Sequence, residues 1–260
     1  LPAIIEWGKT VKYPFALNTE ASINLADDED LMRLMVKAGF DVVFIGIETP
    51  NEESLVECAK YQNQNRSLVD SVKKLQQFGM EVQGGFIVGF DSDPESIFQA
   101  QIDFIQKSGI VTAMVGLLNA PTGTKLYHRL KSEGRLTNSF TGNNTDYSLN
   151  FIPKMDTGKL TTGYKTILET IYSPKRYYER IRTFFAEYKP PRTKPGKVHT
   201  HQIVAFFRSM WYLGIKDAGR RHYWNLFVTY LVQSPPKFAR FILLSIYGYH
   251  FRKVAVTESW

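Results

Sequence analysis

Several polar residues stand where short apolar runs give out. Thr19 and Glu20 follow Phe15 to Leu17, Glu48 follows Val42 to Ile47, Asp91 follows Phe86 to Phe90, and Asn119 follows Met114 to Leu118. Carboxylates so placed can accept hydrogen bonds from hydroxyls, hold an ammonium group, or act as an acid and a base. Glycines punctuate the same runs at Gly46, Gly84, Gly85 and Gly89, and a missing Cβ lets a flat ligand approach the backbone closely. The expectation is a binding crevice lined by strand ends.

The runs also say what positions these residues. Continuous apolar stretches of this length, rich in β-branched residues, suit strands buried on both faces of a parallel sheet. In such sheets the carboxyl ends carry the chemistry. Strands are expected over residues 15–20, 41–48, 82–89 and 112–118. Amphipathic stretches alternate with them. The acidic cluster Asp27–Asp30 suits a helix N-terminus, and Leu31, Leu34, Met35 and Ala38 follow at helical spacing until Gly39. A second helix is expected from about Ser67 to Phe78, stopped by Gly79. A third starts with Asp93 as N-cap and Pro94 at the first helical position, and ends at Gly109. This βαβαβα series implies right-handed crossovers, with helices over 29–38, 67–78 and 94–108 outside the sheet.

Composition bounds the rest. The chain has 260 residues, a net charge of +7 and one cysteine. A lone Cys58 excludes an internal disulfide framework and a cysteine-only metal cluster built within this chain, and it fits a reducing, cytoplasmic location. The opening residues lack the basic and apolar regions of a signal peptide and lack a Met, so a piece of a longer chain is expected. Residues 1–158 carry 14 Lys/Arg against 20 Asp/Glu, a balance of −6, whereas residues 159–260 carry 18 against 5, a balance of +13. Residues 137–158, rich in Asn, Thr, Ser and Gly, read as an irregular connection. From about Leu160 onward the pattern is helical, with breaks at Pro174, Pro190–Pro191, Pro195 and Pro235–Pro236. Three segments result: 1–136, 137–158 and 159–260.

Four stretches taken in order carry a resemblance. They are Thr19–Glu20–Ala21–Ser22, Phe44–Ile45–Gly46–Ile47–Glu48–Thr49, Gly84 through Asp91, and Leu118–Asn119–Ala120–Pro121 through Tyr127. Together they resemble the later strands of a radical S-adenosylmethionine enzyme, of the branch whose members carry a cobalamin-binding domain upstream. The resemblance implies an α/β fold, a partial (β/α) TIM-like barrel over 1–136 followed by a mainly α-helical C-terminal region. It implies that Thr19 and Glu20 contact the ribose or amino-acid part of S-adenosylmethionine, and that Gly46 and Glu48 face the cofactor from the next strand. Gly85, Ile87 and Gly89 match the strand whose apolar side chain lies against adenine. Asn119 and Pro121 match the strand end whose backbone reads the adenine edge. The family reduces a 4Fe–4S cluster to cleave S-adenosylmethionine to a 5′-deoxyadenosyl radical, and methyl transfer through cobalamin is implied where the upstream domain exists. Its cluster needs a CxxxCxxC loop that this chain lacks, so those ligands are expected upstream of Leu1. A reductant protein and a small-molecule or lipid-like substrate are the implied partners.

Plainer readings stand beside these. Glu20 and Glu48 can be helix caps or salt bridges, Gly84, Gly85 and Gly89 can serve packing or a bulge, and Pro121 to Thr124 can be a turn opening a helix. The chain can also be a non-catalytic helical adaptor on a degenerate barrel, or a different barrel enzyme using its strand-end carboxylates. His199 and His201 have a spacing that does not suit one helical face, so no metal site is expected there. The Phe238, Phe241, Ile242 and Ser245 stripe, with Lys237, Arg240, Arg252 and Lys253, reads either as an amphipathic helix at an anionic membrane surface or as a helix packed on the barrel. No nucleic-acid motif accompanies the basic charge.

Overall fold

The computed structural model describes residues 1–137, 148–191 and 200–257. Four strands, β1 (Leu17–Ala21), β2 (Phe40–Glu48), β3 (Glu81–Val88) and β4 (Ala113–Leu117), form one parallel sheet in chain order. The helices around them are α1 (Pro2–Val11), α2 (Glu29–Ala38), α3 (Glu52–Glu57), α4 (Leu68–Gln77), α5 (Ile97–Ser108) and α6 (Lys125–Ser132). Five more follow: α7 (Thr157–Tyr172), α8 (Pro174–Glu187), α9 (Thr200–Trp211), α10 (Arg220–Gln233) and α11 (Pro235–Thr257).

Local chemistry explains most boundaries. Asp28 caps α2 by accepting from the Leu31 amide at 2.8 Å, and Gly39 closes that helix at a φ of 101°. Ser67 caps α4 through the Asp70 amide, and Gly79 and Gly109 turn the chain after α4 and α5 in the same left-handed region. The start of α5 differs from expectation. Asp93 does not cap it; the helix begins at Ile97, and the Asp93 carboxylate turns back to accept from the Gly89 and Phe90 amides and the Ser54 hydroxyl. Three nearby donors outcompete a single helix-end amide.

A parallel sheet in chain order puts every right-handed crossover on one side. Val43, Ile45, Ile47, Val82, Phe86 and Val88 point to that side and pack with Met32 and Met35 of α2, Val72 and Leu75 of α4, and Ile102 and Ile105 of α5. The expectation of strands buried on both faces is therefore half met. The alternate residues Val42, Phe44, Gly46, Gln83, Gly85 and Ile87 are only partly covered, and Met114 is 58% exposed. Among the described residues no second layer covers this face.

The helical region is fused to the sheet. The same apolar cluster runs from Ile23 through Ile167 and Phe184 to Leu244. At the β4 edge, helix side chains take the place of a fifth strand: Tyr172 donates to the Ala113 carbonyl at 2.7 Å and Tyr164 to that of Val115 at 3.1 Å. Burial pushes the Tyr172 hydroxyl up to about 12, so it remains a donor across the neutral range. Arg180, fully buried, binds the Val111 and Ile171 carbonyls and the Gln106 side-chain carbonyl. Replacing Tyr172 by Phe strands a buried edge carbonyl, and the expected loss is about 1–2 kcal/mol of unfolding free energy in urea titration. An unchanged midpoint would show that the edge needs no such partner.

Candidate functional site

The bare face of the sheet holds most of the candidate residues. Register pairs Glu20 with Phe44 and Phe44 with Gln83, then Gly46 with Gly85, and Gly85 with Met114. Glu20, Gly46, Gly85, Ile87 and Glu48 thus share this face, with Glu20 lower than Glu48 along the strand direction. Consecutive strand residues point to opposite sides, so Thr19, paired with the helix-facing Val43, is turned away from Glu20. Only one of the two can meet a ligand here.

Glu48 is the most distinctive member. It ends β2 at a φ of 64°, and the register slips between Gly46 and Glu48. The Asn63 amide holds this bulge by donating to the Gly46 and Ile47 carbonyls at 3.1 and 3.0 Å. The bulge folds the carboxylate back over Gly46. A Cβ on Gly46 would stand 2.5 Å from Glu48 Oε1 and 2.9 Å from Lys60 Nζ, and those two atoms form an ion pair of 2.8 Å. Gly85 similarly yields its space to the Phe44 ring, 2.9 Å from where its Cβ would lie. The sequence showed the glycines but not their occupants, because Lys60 and Asn63 lie in a segment without a periodic pattern.

Other candidates are spoken for. Asp91 joins Arg129 at 2.6 Å and Arg135 at 2.7 Å, and those guanidiniums also meet Glu57 and Glu133. Arg135 and Arg129 hold the Asp91 carboxyl down at about 2. Gly89, at a φ of 106°, faces Leu160 and Leu118, and its amide serves Asp93. Asn119 accepts from the Asn150 amide and donates to the Leu117 and Ser148 carbonyls, while Asn150 takes both the amide and the carbonyl of Ala120. Pro121 is exposed, and its carbonyl accepts from Thr124, the cap of α6. The strand end after β4 is therefore tied to residues 148–150 through Asn119 and Ala120. Asn150 was missed from the sequence because it lay inside a stretch read only as a connection.

No group of three or more His, Cys, Asp or Glu among the described residues could hold a metal ion. Cys58 ends α3, half-buried, its thiol pushed up by burial. His199 lies outside the described residues, as does the side chain of His201. A depression of about 590 Å³ between α5 and α7, lined by Glu95, Phe98, Asp156, Lys159 and Thr162, includes none of the strand-end residues.

Residues 124–259, more than half of the chain, match the family described as Domain of unknown function (DUF4070), and the chain belongs to that family. An uncharacterized methyltransferase of Synechocystis sp. is 36% identical over 94% of this chain and 46% of its own length. Hopanoid C-2 methylase of Rhodopseudomonas palustris is 28% identical over 90% of this chain and 45% of its own length. Bacteriochlorophyllide d C-12(1)-methyltransferase of Chlorobaculum tepidum is 30% identical over 45% of this chain and 26% of its own length. The chain spans about half the length of the first two relatives.

The Asp91 network carries a pH signature. Its carboxyl is depressed relative to the unfolded chain, so its stabilisation is present above pH ~4 and is lost as pH falls toward 2. The expected share is ~2 kcal/mol, reduced toward ~1 by solvent screening at Arg129. Asp91→Asn should remove that acid-limb slope from the stability profile measured by chemical denaturation; an unaltered slope would assign it to other carboxylates.

Proposed function

We propose that these residues form the cofactor-binding wall of a methyltransferase of the radical S-adenosylmethionine type. S-adenosylmethionine would lie along the bare face of β2 and β3. The observation that carries this reading is the pairing of Gly46 with Gly85 on that face, beneath a carboxylate that a backbone bulge holds at the strand end. The donor set fits such a molecule. Glu48 and Glu20 offer acceptors for ribose hydroxyls or the ammonium group, the paired glycines let the Glu48 carboxylate and the Phe44 ring lie down against the sheet, and Ile87 offers an apolar contact for adenine. The methyl-transfer and radical chemistry is the cofactor's own; the part of this chain is to bind, orient and keep water away.

The iron–sulfur cluster does not fit these residues. With one cysteine in the sequence, its three thiolates have to come from elsewhere in the protein, and we assign cobalamin and contact with a reductant protein there too. In this reading the four strands are one wall of a (β/α) barrel. The β4 edge carbonyls of Ala113 and Val115 are taken by Tyr172 and Tyr164, whereas among the described residues β1 pairs only with β2, so further strands would join at β1. Two relatives are named for methylating a hopanoid and a bacteriochlorophyllide. An apolar, lipid-like acceptor is proposed here as well, in keeping with Phe44, Ile87 and the exposed Met114 on the same face.

The test is S-adenosylmethionine binding to the full-length protein by isothermal titration calorimetry. Glu48→Ala should weaken binding about tenfold or more, the worth of roughly one charge-assisted hydrogen bond, with cluster absorbance unchanged. Thr19→Ala, on the other face, should leave affinity as it was. Equal affinity in the Glu48 variant, or a loss confined to the Thr19 variant, would overturn the assignment.

A further inference from the structure

Helix α9 is apolar on two sides. Its inner side packs on the core: Leu213 just beyond it is 1% exposed, Ser209 is 5% exposed, and the Phe206 ring meets Phe227 and Phe238. Its outer side carries Ile203, Phe207 and Trp211, with Ile215 continuing the line in the π-helical turn Tyr212–Lys216. These four stand four residues apart, the spacing that stacks side chains along one line of a helix. They are 47%, 62%, 52% and 54% exposed, and Val204 and Tyr212, each one residue on from a member of the row, widen it along one side. Over that span the row is ~18 Å long. A helix that only shields a core has a polar outer face, and a contiguous exposed apolar row marks a surface that meets something.

The charge beside it selects the partner. Residues 200–257 contain eight Lys/Arg and one acid, Asp217, and that carboxylate is engaged by Arg252 and the Gly219 amide. Arg208, exposed, follows Phe207 on α9, and Arg220 and Arg221, also exposed, open α10 just after the π turn. Lys216 places its ammonium 5.7 Å from the Trp211 ring centre and 5.3 Å from that of Tyr212. Aromatic rings with cations at their margins suit the boundary between headgroups and acyl chains, where the stems lie in the apolar layer and the charges reach the phosphates. A second copy would bring its own cations against these. None of the described helices is long and apolar enough to cross a membrane, so the contact would lie in the plane of the surface.

Of the two readings of the Phe238–Ser245 stripe, the packed one describes it. On α11, Phe241 and Ser245 are buried, Arg240 is taken by Asp41 and Glu81, and Lys237 donates to the Phe185 carbonyl. We propose that α9 and the π turn after it, with Arg208, Lys216, Arg220 and Arg221, seat the protein on an anionic lipid surface.

The experiment is co-sedimentation of the full-length protein with vesicles of phosphatidylcholine alone or mixed with phosphatidylglycerol. Binding is expected to the mixed vesicles only and to weaken as salt is raised. Phe207→Ser with Trp211→Ser should cut it about tenfold or more, and so should Arg220→Glu with Arg221→Glu, which leaves the row intact. Circular dichroism should show both variants folded, and both should bind S-adenosylmethionine as the parent does, which separates this surface from the sheet site. No binding to mixed vesicles, or binding that ignores both variants, would overturn the proposal. So would a dimer in sedimentation velocity that the Phe207/Trp211 variant dissolves in the absence of lipid binding.

Discussion

A buried cation without a counter-charge sets how this chain is put together. Arg180 makes no ion pair among the described residues, and its acceptors are the neutral oxygens of Gln106, Ile171 and Val111. Burial lowers its pKa from the usual arginine value, and desolvating a guanidinium costs several kcal/mol before its bonds are counted. What offsets that cost is geometry. Ile171 lies in the last turn of α7, where the helix dipole favours a cation, and the Tyr172 and Tyr177 rings lie within 5.8 and 5.2 Å of the guanidinium carbon. One side chain thereby joins α5, α7, α8 and the approach to β4, and the edge that Tyr164 and Tyr172 close depends on α7 being held there. The bare face of the sheet is the counterpart: the helices are fixed on the other side, and no described residues form a layer over this one.

The charge asymmetry between the two halves has the same physical meaning. It does not mark two independently solvated units. Arg240 of α11 reaches Glu81 and Asp41 at the start of β3 and β2, and Lys159 reaches Glu95. Glu81 is 1% exposed, and burial raises its pKa even with Arg240 beside it. Excess acid in one half and excess base in the other meet across the interface. Arg208 on α9 and Arg220 and Arg221 at the head of α10 stay exposed.

Local rules made much of this legible in the sequence. Caps such as Asp28 and Ser67, stops such as Gly39 and Gly79, and the apolar runs of all four strands depend on neighbours a few residues away, and they stand where expected to within two residues. Periodicity shows that a face is apolar, not what covers it. For that reason both faces of the strands read as buried, and the α11 stripe was open to a surface or a packed reading until Phe241 and Ser245 proved buried. The partner of the strand end after β4 was hidden for a related reason. Asn150, about 30 residues away, satisfies the backbone at Ala120, and no spacing rule reaches that far.

Glu48 is where the remaining argument concentrates. A non-glycine residue in the left-handed region costs of order 1–3 kcal/mol and persists only where its surroundings insist. Here Asn63 insists, by binding two successive carbonyls of the bulge. The strain places a carboxylate over a glycine on the face of the sheet that no described layer covers, and Lys60 holds it there. A ligand entering over Gly46 would displace an existing ion-pair partner rather than meet a bare charge. It would then have to return a comparable interaction, through an ammonium group or paired hydroxyls, or the carboxylate would stay with Lys60. Apolar molecules of the same shape can offer neither. In the proposed site the bulge, the glycine and the lysine together would therefore act as a filter on ligand chemistry, and no one of the three would do so alone.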